Sequence, residues 1–381
     1  MTTSTSGTPE ELLARVGAVE DPALFHPLGE LGVLRAVRPA SRGYQVIVAE
    51  PPDYPDTAAH ALLDELRGLL GAETELALEP LGDEELLALG ARLRAYDGTS
   101  APASGPAQGH GAAARPNPFG RPRSATRVLA ICSGKGGVGK SSVTVNLAVA
   151  LARNGARVGL LDADIYGFSV PRMLGVAHAP LTVGRTLVPP VAHGVRVVSM
   201  GFFVDEDKAV AWRGPMLHKA LEQFLVDVHW GPLDYLVVDM PPGTGDVPMS
   251  VASQLPGAEC YVVTTPQPAA QRVAQRAAAL AREVRMPVRG VIENMSYWLA
   301  PDGQRHAIFG SGGGQALADD LDVPLLGCLP LETAVREGAD EGEPALVAAP
   351  EGEVAGATGA LATAIAALGP ARVYRSELTV R

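Results

Sequence analysis

Apolar positions follow two different rhythms on either side of a stretch that has none. Residues 10–19 and 58–70 repeat their apolar side chains at helical spacing, while 33–39, 44–49 and 76–81 are short β-rich runs, with a further helical pattern after the last. Few strands and few helices in that mixture predict a small α+β domain over residues 1–95. Residues 96–125 are dense in Gly, Pro and Ala without any apolar period, which predicts a flexible linker. Beyond it, strand-like runs at 127–132, 157–162, 195–200, 235–239, 260–264, 288–293 and 325–328 alternate with helical stretches. These runs are apolar throughout instead of every second residue, as in strands covered on both faces. Residues 126–370 are therefore expected to form an α/β, doubly wound, mostly parallel sheet with helices on both sides, followed by a loosely structured tail at 371–381. No repeat of solenoid length is visible.

Composition changes this picture little. The chain has 381 residues, 47% hydrophobic and 19% charged, which suits a soluble chain of two or three folded units. A net charge of -11 argues against a surface that neutralises phosphates by general basicity, so no nucleic acid is expected as a partner. The polar, acidic start and the absence of any run of about 18 uncharged apolar residues predict a cytoplasmic protein without a membrane span. Cys132, Cys260 and Cys328 each sit in an apolar run, which places all three on buried strands with no spacing for a shared site.

Candidate chemistry enters at the first strand after the linker. RVLAIC leads into SGKGGVGKSS and then into a helical stretch, so Gly134, Gly139, Lys140 and Ser141 complete a phosphate-loop pattern at a strand-to-helix turn. Such a loop needs glycines because its backbone curls around phosphate oxygens with N–H groups pointing inward. Lys140 supplies a point charge for the β and γ phosphates, and the Ser141 hydroxyl can take one position on magnesium. The expected ATP contacts are Gly134, Lys135, Gly136, Gly137, Val138, Gly139, Lys140, Ser141 and Ser142. The string YLVVD, four apolar residues and then Asp239, describes a strand whose terminal carboxylate holds magnesium. Gly243, Thr244 and Gly245 follow as a plausible γ-phosphate switch, and Asp246 either joins it or caps the next helix.

The second lysine in the loop, Lys135, makes the string KGGVGK, which resembles the deviant Walker A group that includes MinD, ParA and the nitrogenase iron protein. That resemblance implies an ATP-dependent homodimer in which Lys135 reaches the nucleotide of the partner subunit, making Lys135 catalytic alongside Lys140. It also implies that Asp164 orients the attacking water and that Asp162 lies near the magnesium shell; alternatively Asp162 is a helix cap. Asn294, just beyond the strand GVIEN, is by the same resemblance a reader of the adenine edge, or else a turn-forming residue.

Four further strings, LLDADIYGFSVPRMLG, DMPPGTGD, TTPQPAAQRVAQRA and GVIENMSYW followed by FGSGGG, are similar to the Mrp/ApbC family of iron-sulfur cluster carrier ATPases over residues 126–331. VEDPALFHPLGELGVLRAV resembles the small domain, related to iron-sulfur assembly factors, that often precedes them. The likeness implies loading, holding and passing on a [4Fe-4S] cluster, with apo iron-sulfur proteins or assembly factors as partners. One element departs from it. Most members of the family carry Cys-x-x-Cys shortly after the MSY string, whereas residues 295–303 here read MSYWLAPDG, so no iron-sulfur ligand is identifiable. His306 is the nearest soft ligand and reads as a solvent-facing or packed histidine. Two alternatives stand beside the carrier: a MinD/ParA-like positioning ATPase, and an Mrp-like ATPase that has lost cluster binding and acts as a regulator.

Overall fold

The computed structural model describes residues 9–41, 43–97, 117–120, 124–164, 167–176, 178–203, 214–243, 246–300 and 302–371. Most of the expected linker and tail lies outside this set, as do Thr244 and Gly245 of the expected switch. The chain divides into two compact units, the first comprising Met1–Arg115, Pro180–Pro190 and Val226–Gly231 and the second the remainder.

The first unit opens with α1 (Pro9–Gly17) and α2 (Leu28–Leu31), then β1 (Leu34–Pro39), β2 (Tyr44–Glu50), α3 (Asp56–Leu70), β3 (Glu75–Pro80) and α4 (Asp83–Tyr96). Its sheet has the order β1-β2-β3, antiparallel in the first pair and parallel in the second. Buried Leu62, Leu66 and Leu70 recur every fourth position on α3 and face the same core as Val46 and Val48 of β2. Asp21 shapes the turn before α2: its Oδ1 accepts from the backbone N–H of Ala23 and Leu24 and from the Tyr54 hydroxyl, at 2.8–2.9 Å.

In the second unit β4 (Arg127–Ser133), α5 (Lys140–Arg153), β5 (Val158–Asp162) and α6 (Val170–Met173) come first. The chain then supplies β6 (Leu181–Val183) and β7 (Thr186–Val188), an antiparallel hairpin that belongs to the first unit. It continues through β8 (Val191–Ala192), β9 (Val195–Ser199), α7 (Gly214–Val226), β10 (Tyr235–Asp239), α8 (Asp246–Gln254), β11 (Glu259–Thr264), α9 (Pro268–Glu283) and β12 (Val288–Glu293). The last elements are β13 (Trp298–Leu299), β14 (Arg305–His306), α10 (Gly313–Leu321), β15 (Leu325–Cys328), α11 (Thr333–Glu341), α12 (Ala345–Ala348) and α13 (Glu353–Ala367).

The main sheet runs β15-β12-β11-β4-β10-β5-β9-β8, parallel throughout except for the antiparallel edge strand β8. This is the expected doubly wound architecture. Every residue of β5 and β11 is buried, which explains why the strands show no alternation of polar and apolar positions. Connections leave β4 toward β5 on one side and the sheet later grows toward β11 on the other, so the crevice beyond the carboxyl end of β4 is where ligands bind in such folds.

Candidate active site

The loop after β4 lies at that crevice, and its glycines are required by what surrounds them. A Cβ on Gly134 would stand 2.2 Å from the backbone carbon of Val273 on α9, whose buried face of Ala270, Ala274, Ala277, Ala278 and Ala281 allows that close approach. Gly139 has φ +77°, the left-handed region, and a Cβ there would meet Asn294 Nδ2 at 2.3 Å. Gly136 and Gly137 are different: both are exposed and open space surrounds the place a Cβ would take, leaving the inner wall of the loop free for phosphate oxygens. The helix α5 starts at Lys140, directly after the Gly139 turn, and aims its positive end at the loop.

Parallel register then assembles the carboxylates. Asp239 is paired with Asp162 on β5, and Asp162 with Ser199 on β9, so three polar side chains line up across adjacent strand ends. Asp239, 1% exposed, is the hub of the site. Its Oδ1 accepts from Lys140 Nζ at 2.6 Å and lies 2.8 Å from Thr144 Oγ1, while Oδ2 accepts from Ser141 Oγ at 2.6 Å. Thr144 is one helical turn beyond Lys140, whose carbonyl its hydroxyl also reaches at 2.9 Å. Lys140, 6% exposed, stands 3.8 Å from Asp164 Oδ2 as well. Burying a lysine this deeply is costly unless carboxylates stand beside it, as these two do.

Asp162 is fully buried; its Oδ1 accepts from the Asp164 N–H at 3.1 Å and its Oδ2 from Ser199 Oγ at 3.0 Å. Burial, and then the negative charge of Asp239, push its carboxyl up to about 7. Lys135 is half-buried, with Nζ 3.5 Å from Gln267 Oε1 at the start of α9, and its carbonyl accepts from Ser133 Oγ. Val138 is buried, and Ser142 half-buried on the first turn of α5. Asn294 Nδ2 donates to the Val138 carbonyl at 2.9 Å, so this amide braces the phosphate loop from behind. Sequence reasoning missed Thr144, Ser199 and Gln267 as parts of this site.

The cysteines differ from expectation in two respects. Cys328 is exposed, because β15 is the edge strand opposite β8 and Cys328 is its last residue. Cys132 and Cys260 are buried as expected, but β4 and β11 are neighbours and bring them together despite their separation in sequence. His306 is exposed beside Trp298, with ring centroids 5.7 Å apart. Among the described residues, no three His, Cys, Asp or Glu side chains converge as a metal site. None of the described helices is long and apolar enough to cross a membrane.

A glycine cradle between a central parallel strand and its helix, with a neighbouring strand's aspartate holding the loop's lysine and serine, defines a P-loop nucleoside triphosphatase. Comparison with known proteins narrows the class. The ParA family model described as NUBPL iron-transfer P-loop NTPase matches residues 124–366, and the chain belongs to that family. It is 43% identical over 350 residues to the iron-sulfur cluster carrier protein of Mycobacterium leprae, covering 88% of this chain and 87% of that one. The protein of the same description from Bacillus subtilis is 44% identical over 332 residues, covering 85% and 88%. Among solved structures, the nucleotide-binding protein of Archaeoglobus fulgidus in complex with ADP superposes with a TM-score of 0.52 at 33% identity, over 60% of this chain and 90% of that one.

Proposed function

We propose that the chain is an ATP-hydrolysing carrier of iron-sulfur clusters that works as a homodimer and passes its cargo to apo iron-sulfur proteins. The observation that carries the ATPase half is the convergence of Lys140, Ser141 and Thr144 on the buried carboxylate of Asp239. The donor set fits magnesium-ATP: open backbone at Gly136 and Gly137 for the phosphates, Lys140 for their charge, and the oxygens of Ser141 and Asp239 for the metal. Magnesium, when bound, neutralises the phosphate charge that develops in the transition state. Lys140 exchanges its contact with Asp239 for the β and γ phosphates. Asp164, at the mouth of β5, orients the attacking water, and Lys135 of the partner subunit completes the site. Asn294 holds the loop at Val138, and we assign it the adenine edge as well. Hydrolysis then reopens the dimer, so the nucleotide decides which partner is held.

The cargo half is supported by the cluster-carrier relatives, which align over most of this chain. The chain's own thiols do not by themselves fit a [4Fe-4S] cluster, which asks for four thiolates: Cys132 and Cys260 are buried, and Cys328 is the exposed one. That same observation favours a second reading, an ATPase of this family that regulates without carrying. Anaerobic reconstitution with iron and sulfide, followed by iron counted per dimer, separates the two. The carrier reading expects stoichiometric iron that leaves for an apo acceptor; iron-free protein with intact ATP turnover sinks it in favour of the regulator.

A further inference from the structure

Asp164 stands two residues past the end of β5, where strand pairing no longer fixes the chain. Its backbone is held by a side chain instead. The Asp164 N–H donates to Asp162 Oδ1 at 3.1 Å, and the Ala163 N–H before it donates to the Asp239 carbonyl at 3.0 Å. The Asp162 carboxylate is in turn fixed from β9, where fully buried Ser199 donates its hydroxyl to Oδ2 at 3.0 Å. That hydroxyl accepts from the Gly201 N–H at 3.0 Å, which leaves its one proton for Asp162.

Residues 199–201 meet the chain a second time on the far side of Asp164. A Cβ on Gly201 would stand 2.4 Å from Phe168 Cδ2 and 2.9 Å from its Cγ, so the half-buried ring packs directly on the Gly201 backbone, a contact that only glycine permits. The end of β9 and the single 3-10 turn after it, Met200–Phe203, thus touch the chain both before and after Asp164.

We propose that Ser199 and Gly201 are positioning residues for ATP hydrolysis: through Asp162 and Phe168 they set where the Asp164 carboxylate meets the attacking water. The inference rests on the reading of Asp164 as the group that orients that water. A displacement of about 1 Å at such a group costs on the order of a hundredfold in rate. Lys140, Ser141 and Asp239, to which the proposed mechanism gives the nucleotide and its metal, are hydrogen-bonded to one another. Nucleotide binding should therefore survive where turnover is lost.

The test compares steady-state turnover of magnesium-ATP with the affinity for a fluorescent ATP analogue in the full chain, with circular dichroism to confirm the fold. Ser199→Ala and Gly201→Ala should each lower kcat by about tenfold or more while affinity stays within about twofold of native. Asp162→Asn keeps an acceptor for the Asp164 N–H and offers a donor to Ser199, so it should recover about tenfold in kcat over Asp162→Ala. Gly201→Ala, on a half-buried turn, decides the matter if Ser199→Ala does not fold. Native kcat in Gly201→Ala or in folded Ser199→Ala overturns the proposal, as does a loss of affinity in step with turnover. Asp164→Ala, measured alongside, separates the two levels: if it hydrolyses ATP at the native rate, the reading of Asp164 falls and this inference with it. If it is inactive while Ser199→Ala and Gly201→Ala are normal, the inference alone falls.

Discussion

Asp239 takes contacts from three side chains, and they differ in how much the sequence reveals them. Lys140 and Ser141 belong to a pattern whose spacing is its own evidence. Thr144 is one helical turn further on and could have been read from the 3.6 period of α5, had the helix start been fixed at Gly139. Ser199 could not, because its role depends on β9 lying beside β5 in one register, and nothing local encodes that pairing. Thr144→Val keeps the shape of the side chain and removes its hydroxyl. It should cost about 1 kcal/mol of stability and weaken magnesium-ATP binding, to be read by thermal unfolding with and without the nucleotide. An unchanged nucleotide-dependent shift would show that Thr144 does not position Asp239.

The order of the main strands and helices was legible because unbroken apolar runs alternate with stretches of helical period, whereas edges and close approaches were not. LLGC reads as a buried strand, yet β15 lies at the border of the sheet and Cys328 ends exposed. Likewise the sequence shows a glycine at 134 without showing α9 behind it. Gly134→Ala forces a Cβ against backbone at Val273, not against a flexible side chain, so the loop must shift. Loss of nucleotide binding with the fold retained is the expected result, measured by titration with a fluorescent ATP analogue and circular dichroism. At the opposite end of the sheet, Glu259 joins β11 to its surroundings: Arg127 donates to it at 2.8 Å and the Ala371 N–H at 2.8 Å. Burial pushes the Glu259 carboxyl up, but the hydrogen bonds from Arg127, Ala371 and Tyr261 outweigh it and hold the carboxyl below its usual 4.5. A depressed value means stability that is present above the unfolded value and lost as pH falls through the folded one. Denaturation followed from about pH 7 down to pH 3 should therefore show a steeper acid loss in the native chain than in Glu259→Gln. Parallel curves would contradict the clamp.

Across the chain as a whole, the division expected at the linker meets a more interlaced arrangement. Leu181, Val183 and Val188 of the β6–β7 hairpin sit in the same core as Leu12, Leu66 and Leu93, although about ninety residues separate them from α4 in sequence. Short strands of this kind carry no local mark of the core they join, which is why sequence reasoning assigned them to the ATPase. A fragment ending at residue 97 should consequently fail to fold, and Leu181→Ala should lower stability by about 2–3 kcal/mol; a dispersed, cooperative spectrum from the fragment would refute this.

The central claim is a catalytic site completed across two subunits, and mixing two inactive variants tests it most directly. On the proposed mechanism Lys135→Ala lacks the lysine offered to the partner and Asp164→Ala lacks the aspartate that orients water, so neither alone should hydrolyse ATP. In a mixed dimer the Lys135→Ala subunit keeps its own Asp164 and receives Lys135 of the partner subunit, giving one intact site. An equal mixture should recover about a quarter of native turnover, half of the dimers being mixed and each having one working site of two. Turnover no higher than that of the two variants measured apart would contradict the account.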